Sequence, residues 1–328
     1  MKTMVLAIGG NALIHQWERG TTREQVVNTR AVAAQVVRLA REGYRIVLTH
    51  GNGPQVGAEM LLSERDSGFI STRSLNICDA ATQGEMGYLL QQALRSELRQ
   101  LGLALPVVTV VTQCLVSLND GGMRHPTKPI GRFYTEVEAE ECKRRFGWTI
   151  VMDADRGYRR VVPSPHPLEI LEFDVIQNLF RFGALVIACG GGGIPVSWVD
   201  DELMGVEAVI DKDLASSLLA SQLGVDLFAI GTDTDYVYRD FGKPSQRAFH
   251  EVAASELEKY LQAGEFAPGS MGPKVEAVLQ FLRRGGKEAV IASCRDLYAA
   301  VRGTTGTHVL ADEQGIHLTR EFQFAGRG

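Results

Sequence analysis

Met4-Val5-Leu6-Ala7-Ile8-Gly9-Gly10 is the stretch on which the fold turns: an unbroken apolar run that enters a Gly-Gly turn directly. An apolar run without alternation belongs to a strand covered on both faces, as in the interior of a parallel sheet. It is too short for the apolar core of a signal peptide. The same pattern returns at residues 44–49, 106–112, 184–188, 227–230 and 289–292. Between the first two runs the sequence predicts a helix. Thr21 and Glu24 make a capping box, Val26, Val32, Ala33, Val36 and Leu39 form the apolar stripe, and Gly43 ends it. Further helices are expected over 85–101, 173–181 and 213–223, and one more begins near Pro273, placed at its first position. Strands alternating with helices give a doubly wound α/β fold. Residues 119–167 break the rhythm. They are rich in Gly, Pro, Arg and charge, contain no long apolar strand, and read as an inserted, mobile subdomain that projects from the sheet.

The chain has 328 residues, 45% of them apolar and 22% charged, the balance of a soluble globular protein. A formal charge of −5 argues against nucleic acid or an anionic membrane as partner, because both are bound mainly through clustered cations. No stretch approaches the roughly 20 apolar residues of a membrane span. Cys78, Cys114, Cys142, Cys189 and Cys294 are scattered, odd in number and without CxxC spacing. That usage fits a reducing, cytoplasmic setting and neither a disulfide framework nor a zinc site.

Three glycine-rich turns each follow an expected strand: Gly9-Gly10-Asn11, Gly51-Asn52-Gly53-Pro54-Gln55-Val56-Gly57 and Gly190-Gly191-Gly192-Gly193. In an open parallel sheet all three lie at the carboxyl edge, where ligands bind. Glycine there lets backbone N–H groups approach an anion, so Gly9, Gly10, Gly51, Gly53, Gly191 and Gly192 are candidates for a phosphate cradle. No GxxxxGK(S/T) occurs, and the GxGxxxG of Gly51–Gly57 is one residue longer than the dinucleotide fingerprint and follows the second strand. Three lysines stand out because each is fixed by its neighbours. Lys128 lies in Pro126-Thr127-Lys128-Pro129-Ile130-Gly131, Lys212 between Asp211 and Asp213, and Lys274 after Met271-Gly272-Pro273. Phosphoryl transfer needs such cations, since its transition state spreads negative charge over the γ-phosphoryl oxygens. Asp213 would orient the lysines.

These segments resemble carbamate kinase. The resemblance is carried by Ala7-Ile8-Gly9-Gly10-Asn11-Ala12-Leu13, Thr49-His50-Gly51-Asn52-Gly53-Pro54-Gln55-Val56-Gly57 and Thr82-Gln83-Gly84. It continues through Pro126-Thr127-Lys128-Pro129-Ile130-Gly131, Arg159-Arg160-Val161-Val162-Pro163-Ser164-Pro165 and Cys189-Gly190-Gly191-Gly192-Gly193-Ile194-Pro195-Val196. Glu207-Ala208-Val209-Ile210-Asp211-Lys212-Asp213 and Phe266-Ala267-Pro268-Gly269-Ser270-Met271-Gly272-Pro273-Lys274 complete the series, in the family's order. The resemblance implies the amino-acid kinase fold, a three-layer αβα sandwich with a mainly parallel central sheet and a small protruding subdomain, as a homodimer. Its domain would cover residues 1–309, leaving 310–328 as an extension of unknown role. It implies reversible transfer between ATP and carbamate, with Mg²⁺ carried by the nucleotide phosphates and no metal site of the protein's own. It also implies that Gly10, Asn11, Gly51, Asn52 and Gly53 hold the transferring group and carbamate. Lys128 would reach in from the subdomain, Lys212 and Lys274 would bind ATP phosphates, and Asp213 would align them. The nucleotide would lie along Gly231, Asp233, Tyr236 and Val237 and near Ala267 and Met271. Carbamoyl phosphate could serve as a source of ATP in nitrogen catabolism.

The chain departs from the family pattern at two places: Tyr158 stands where Trp is common, and His166 where Lys is frequent. Other residues have plainer readings. Cys189 reads as a buried strand-end thiol, Asp233-x-Asp235 as a turn with a nucleotide contact, and His50 as a structural hydrogen-bonding residue, because carbamate is already an anionic nucleophile. Arg159-Arg160 reads equally as a surface pair or a subdomain contact. Competing functions are a kinase of another small carboxylate or phosphonate on the same fold, or a nucleotide-binding sensor without catalysis; the retained lysines and Asp213 speak against the sensor.

Overall fold

A computed structural model describes residues 2–14, 18, 20–65, 73–152, 157–267, 269–312 and 320–322. Its large sheet contains β1 (Thr3–Ile8), β2 (Arg45–His50), β3 (Val107–Thr109), β9 (Leu185–Ile187) and β12 (Leu227–Thr232). β13 (Val237–Arg239), β14 (Arg247–Ala253), β15 (Glu288–Ser293), β16 (Thr307–Leu310) and β17 (Arg320–Phe322) extend it. The order is β13-β14-β16-β15-β12-β1-β2-β9-β3, with β17 paired to β14. The chain places β2, β9 and β3 to one side of β1 and β12 and β15 to the other, so β1 marks the topological switch point where open α/β sheets bind ligands. All neighbours from β3 to β15 are parallel. Ile8 lies level with His50 on one side and Gly231 on the other, which brings the ends of three strands to one edge.

Continuous apolarity in β1 serves two cores. Val5 and Ala7 face one cluster, while Met4, Leu6 and Ile8 face the other. The first core is closed by α6 (Phe173–Phe182), α7 (Lys212–Leu223), α8 (Ala254–Gln262) and α9 (Met271–Arg283). The second is closed by α1 (Thr22–Arg41), α3 (Leu75–Gln100) and α10 (Leu297–Val301). The result is three layers, helices on both faces of a mainly parallel sheet. The capping box at Thr21 and Glu24 is formed as the sequence predicts.

Two smaller sheets flank the large one. β4 (Gln113–Leu115), β8 (Glu169–Ile170), β10 (Ile194–Val199) and β11 (Glu202–Gly205) run in the order β11-β10-β4-β8. Within 119–167 lie α4 (Gly121–Arg124), β5 (Lys128–Tyr134), α5 (Glu136–Phe146), β6 (Ile150–Met152) and β7 (Tyr158–Val162). The strands form the antiparallel sheet β5-β7-β6, and Tyr134, Ala139, Trp148 and Ile150 make its own small core. α2 (Gly53–Arg65) carries this sheet, because a Cβ on Gly57 would overlap the backbone of Gly131 in β5. Several expectations differ from the structure. β5 is a seven-residue strand, unread because only Ile130 and Tyr134 of it are buried, too few to make an apolar run. The run at 106–112 yields a short β3, after which the chain passes into the second sheet at β4. α3 starts ten residues before Glu85, and Pro273 is the third residue of α9, not the first.

Candidate active site

The glycine turns meet because their strands are neighbours. The Gly9 N–H donates to the Gly231 carbonyl at 3.1 Å and the Gly51 N–H to the Ile8 carbonyl at 2.9 Å. Gly10 to Ala12 form a 3-10 turn, and a Cβ on Gly51 would sit 2.8 Å from the Gly10 nitrogen and 3.2 Å from Lys212 Cδ. Only glycine allows these two turns and the lysine stem to close on one another. The third turn, Gly190 to Gly192, bends with φ of +67° at Gly191 and +103° at Gly192, a left-handed backbone that side chains resist. A Cβ on Gly191 would overlap the Asn52 amide and crowd Asp79 Oδ1, so this turn packs directly behind Gly51-Asn52-Gly53.

The cations close on that edge from three elements. Asp211 caps α7, accepting from Asp213 N at 2.8 Å and Leu214 N at 3.4 Å. Its other oxygen is ion-paired with Lys128, which comes from the first residue of β5. Asp213 pairs with Lys212 through Oδ1 and with Lys274 of α9 through Oδ2, the latter at 3.3 Å. Lys274 also donates to the Ser270 carbonyl at 3.3 Å. Burial pushes Asp211 and Asp213 upward, yet the surrounding lysines outweigh it and hold both carboxyls below their ordinary value. Burial in turn lowers Lys212, against the pull of Asp213, whereas Asp213 and Asp211 overcome burial at Lys274 and raise it. The structure thus brings together Lys128, Lys212, Asp213 and Lys274 beside Gly10 and Gly51. Three lysines against two aspartates leave this cluster a net of one positive.

The amino acid kinase family profile matches residues 2–293. Carbamate kinase of Thermococcus kodakarensis is 45% identical over 317 residues, which is 95% of this chain and 100% of that one. The chain belongs to the carbamate kinases, within the amino acid kinase family. The carbamate kinase-like protein YahI of Escherichia coli is 46% identical over 94% of this chain and 98% of its own. Among solved structures, carbamate kinase from Giardia lamblia bound to AMP-PNP has a TM-score of 0.87 at 41% identity, over 95% of this chain and 99% of that one.

Gly231 sits within β12, and Asp233 is exposed just beyond it, with its charge felt at Lys274. Val237 is buried at the start of β13, its N–H donating to Thr307 Oγ1 at 2.8 Å. Tyr236 is buried edge-on to His250, and its hydroxyl accepts from Thr305 at 3.2 Å. Ala267 is exposed and its carbonyl accepts from Ser270 and Gly272, which holds the turn into Met271. Pro268 lies outside the described residues, as does Arg156, and the side chain of Asn11 is not described; its backbone lies in the first turn. His50 is wholly buried, and burial pushes it down to about 4, so it is a neutral imidazole. Cys189 is a buried free thiol hydrogen-bonded to the Cys114 thiol, and that hydrogen bond and burial push Cys114 well up. Asp235 accepts from the Tyr238 hydroxyl at 2.7 Å, a turn contact. Arg159 bonds the Gly131 carbonyl at 3.0 Å and Arg160 lies over Trp148 at 4.4 Å, so both are contacts of the 119–167 sheet.

The sequence reading assigns no role to three residues here, Asp79, Thr82 and Asp211. Asp211 was passed over for Asp213, though Asp immediately before a helix is a capping signal. Asp79 and Thr82 of α3 reach Asn52: its Nδ2 donates to Asp79 Oδ1 and, at 2.8 Å, to Thr82 Oγ1. Burial pushes Asp79 up to about 7, against the bond from Asn52.

Proposed function

We propose that this chain transfers a phosphoryl group reversibly between ATP and carbamate, making ATP from carbamoyl phosphate where that compound is supplied. The observation that carries the reading is the convergence of Lys128, Lys212 and Lys274, ordered by Asp211 and Asp213, on the edge where Gly10 and Gly51 touch. In the forward direction a carbamate oxygen attacks the γ-phosphorus, and the bond from phosphorus to the ADP oxygen breaks. Carbamate carries its own negative charge, so no residue needs to remove a proton. The chain contributes position and charge: glycine-turn amides hold the transferring group, Lys212 and Lys274 meet the ATP phosphates, and Lys128 meets the group in flight. Asp213 keeps its two lysines in register and Asp211 does so for Lys128.

Mg²⁺ fits this arrangement as a companion of the nucleotide. Among the described residues no cluster of three potential metal ligands occurs, and both site aspartates are answered by lysines. When bound through phosphate oxygens and water it neutralises β- and γ-phosphate charge. The nucleotide base is assigned to the segment from Gly231 to Val237 and to Ala267 and Met271. We also assign a homodimer in the cytoplasm, with the 119–167 sheet as a lid that brings Lys128 in; exposed Trp198 and Met204 on the β10–β11 hairpin supply apolar surface for a partner copy. No helix among the described residues is long and apolar enough to cross a membrane.

The test is ATP formation from ADP, Mg²⁺ and carbamoyl phosphate, corrected for unaided decay, with Lys128→Ala and Lys212→Ala beside the unaltered protein. Each variant should lose on the order of 10² or more in turnover, by analogy with removing one preorganised donor. Unchanged turnover in both would sink the assigned roles, and efficient use of acetyl phosphate instead would move the reading to another small acid.

A further inference from the structure

Asn52 stands where a helix cap is expected and does not act as one. The Val56 N–H donates to the Asn52 carbonyl at 2.9 Å, the first bond of α2, which makes Asn52 its N-cap residue. An asparagine there ordinarily accepts, through its side-chain oxygen, an N–H from the second or third helical residue. The second is Pro54, which has no N–H, so the one candidate donor is Gln55. Instead the carboxamide turns away to α3. Its Nδ2 donates to Asp79 Oδ1 and to Thr82 Oγ1, and the Thr82 hydroxyl donates to the Asp79 carbonyl at 2.7 Å. With its proton committed there, Thr82 can only accept from Asn52, which fixes which end of the amide faces α3. Both Asn52 protons are used on this side, and no hydrogen bond among the described residues uses its Oδ1.

Asp79 is costly to keep for this purpose. It is fully buried, its Oδ2 has no hydrogen-bond partner among the described residues, and no cation pairs with it. A group with no packing or pairing reason to be charged, bonded to one side chain of an anion-binding turn, is placed to steer that side chain.

We propose that Asp79 is a positioning residue that holds Asn52 away from the end of its own helix, so that the first N–H groups of α2 stay open for the oxyanion of the substrate. This rests on the assignment of Gly51, Asn52 and Gly53 to the acceptor site. An uncapped helix N-terminus presents both free N–H groups and positive potential. α2 has thirteen residues and keeps that end beside Gly10 and Lys212. Once Asp79 is removed, Asn52 is free to swing back and cap Gln55, filling the place of the substrate oxygen.

The experiment measures kcat and KM for carbamoyl phosphate with ADP, together with Tm at pH 8, for the unaltered chain, Asp79→Ala, Asn52→Ala and the double variant. Asp79→Asn is added as the conservative change that keeps an acceptor for Asn52. The expected result is about a tenfold rise in KM for Asp79→Ala with a much smaller change in kcat. Adding Asn52→Ala, which removes the side chain that would close the helix, should recover most of that rise. Asp79→Asn should keep KM near that of the unaltered chain and raise Tm. An unchanged KM in Asp79→Ala would overturn the proposal. So would equal losses in kcat and kcat/KM with lowered Tm and no recovery in the double variant, the signature of a merely structural aspartate. Failure of the site assignment looks different: Gly53→Ala, whose added methyl meets nothing in the fold but crowds the acceptor place, would then leave KM untouched as well.

Discussion

Two groups of buried carboxylates lie within one site and behave in opposite ways. At the start of α7, Asp211 faces Lys128 and Asp213 faces Lys212 and Lys274, and both stay below the ordinary carboxylate value although burial opposes it. On α3, Asp79 is as deeply buried but meets only an amide, and it rises to about 7. Depth is the same; partners decide the sign. The first group is held charged by its ion pairs, and in the proposed function its lysines exchange carboxylates for phosphates. The second has one amide and, among the described residues, no cation to offset its burial, so its presence needs a functional reason.

The comparison can be broken by removing one carboxylate from each group. Asp213→Ala leaves Lys212 buried without its nearest partner, and such a loss costs about 3–5 kcal/mol; Tm should fall sharply, and a variant as stable as the parent would refute the pairing. Asp79→Asn should do the reverse. Its folded value lies about three pH units above the ordinary 3.8, and at about 1.36 kcal/mol per pH unit the charge destabilises the fold by up to about 4 kcal/mol. The sign is that of a raised carboxylate: protonated Asp79 favours the fold, and this contribution is lost as pH rises from about 4 to about 7. Urea unfolding of Asp79→Asn should therefore give higher stability than the parent at pH 8 and no difference near pH 4. A third variant sharpens the contrast by disturbing geometry without touching charge. Gly57→Ala places a methyl against the backbone of Gly131, with a cost of about 1–3 kcal/mol, and it should lower turnover by shifting β5 and Lys128. Wild-type turnover and Tm together would show that β5 does not need this contact.

The same contrast explains what could be read from sequence. The strands around β1 and the capped α1 follow from apolar runs and a local capping box, signals that depend on burial alone. The lysines were found because prolines, glycines and aspartates confine them. Residues 75–84 of α3 were not read as helix, because Asp79, Thr82, Gln83 and Gly84 interrupt the apolar stripe. They do so to serve the turns: Asp79 and Thr82 hold Asn52, and Gln83 Nε2 donates to the Gly190 carbonyl at 2.9 Å. A helix whose buried face is polar defeats a rule that equates burial with apolarity. Asp211 goes unread for a related reason: its partner Lys128 lies 83 positions away, and nothing local in the sequence pairs the two.

The central place of β1 has a consequence for biosynthesis. It precedes every other described strand in the chain, yet Met4 pairs with Leu227, so one of its hydrogen-bonding edges stays unmatched until about 220 further residues have been made. β2 can cover the other edge early, since Thr3 pairs with Arg45. Until β12 arrives, the nascent chain presents the unpaired backbone edge of a mostly apolar strand, the kind of surface that recruits chaperones or a neighbouring copy. The strand that defines the ligand edge of the finished enzyme is thus also its point of greatest exposure to misassembly while it is being made.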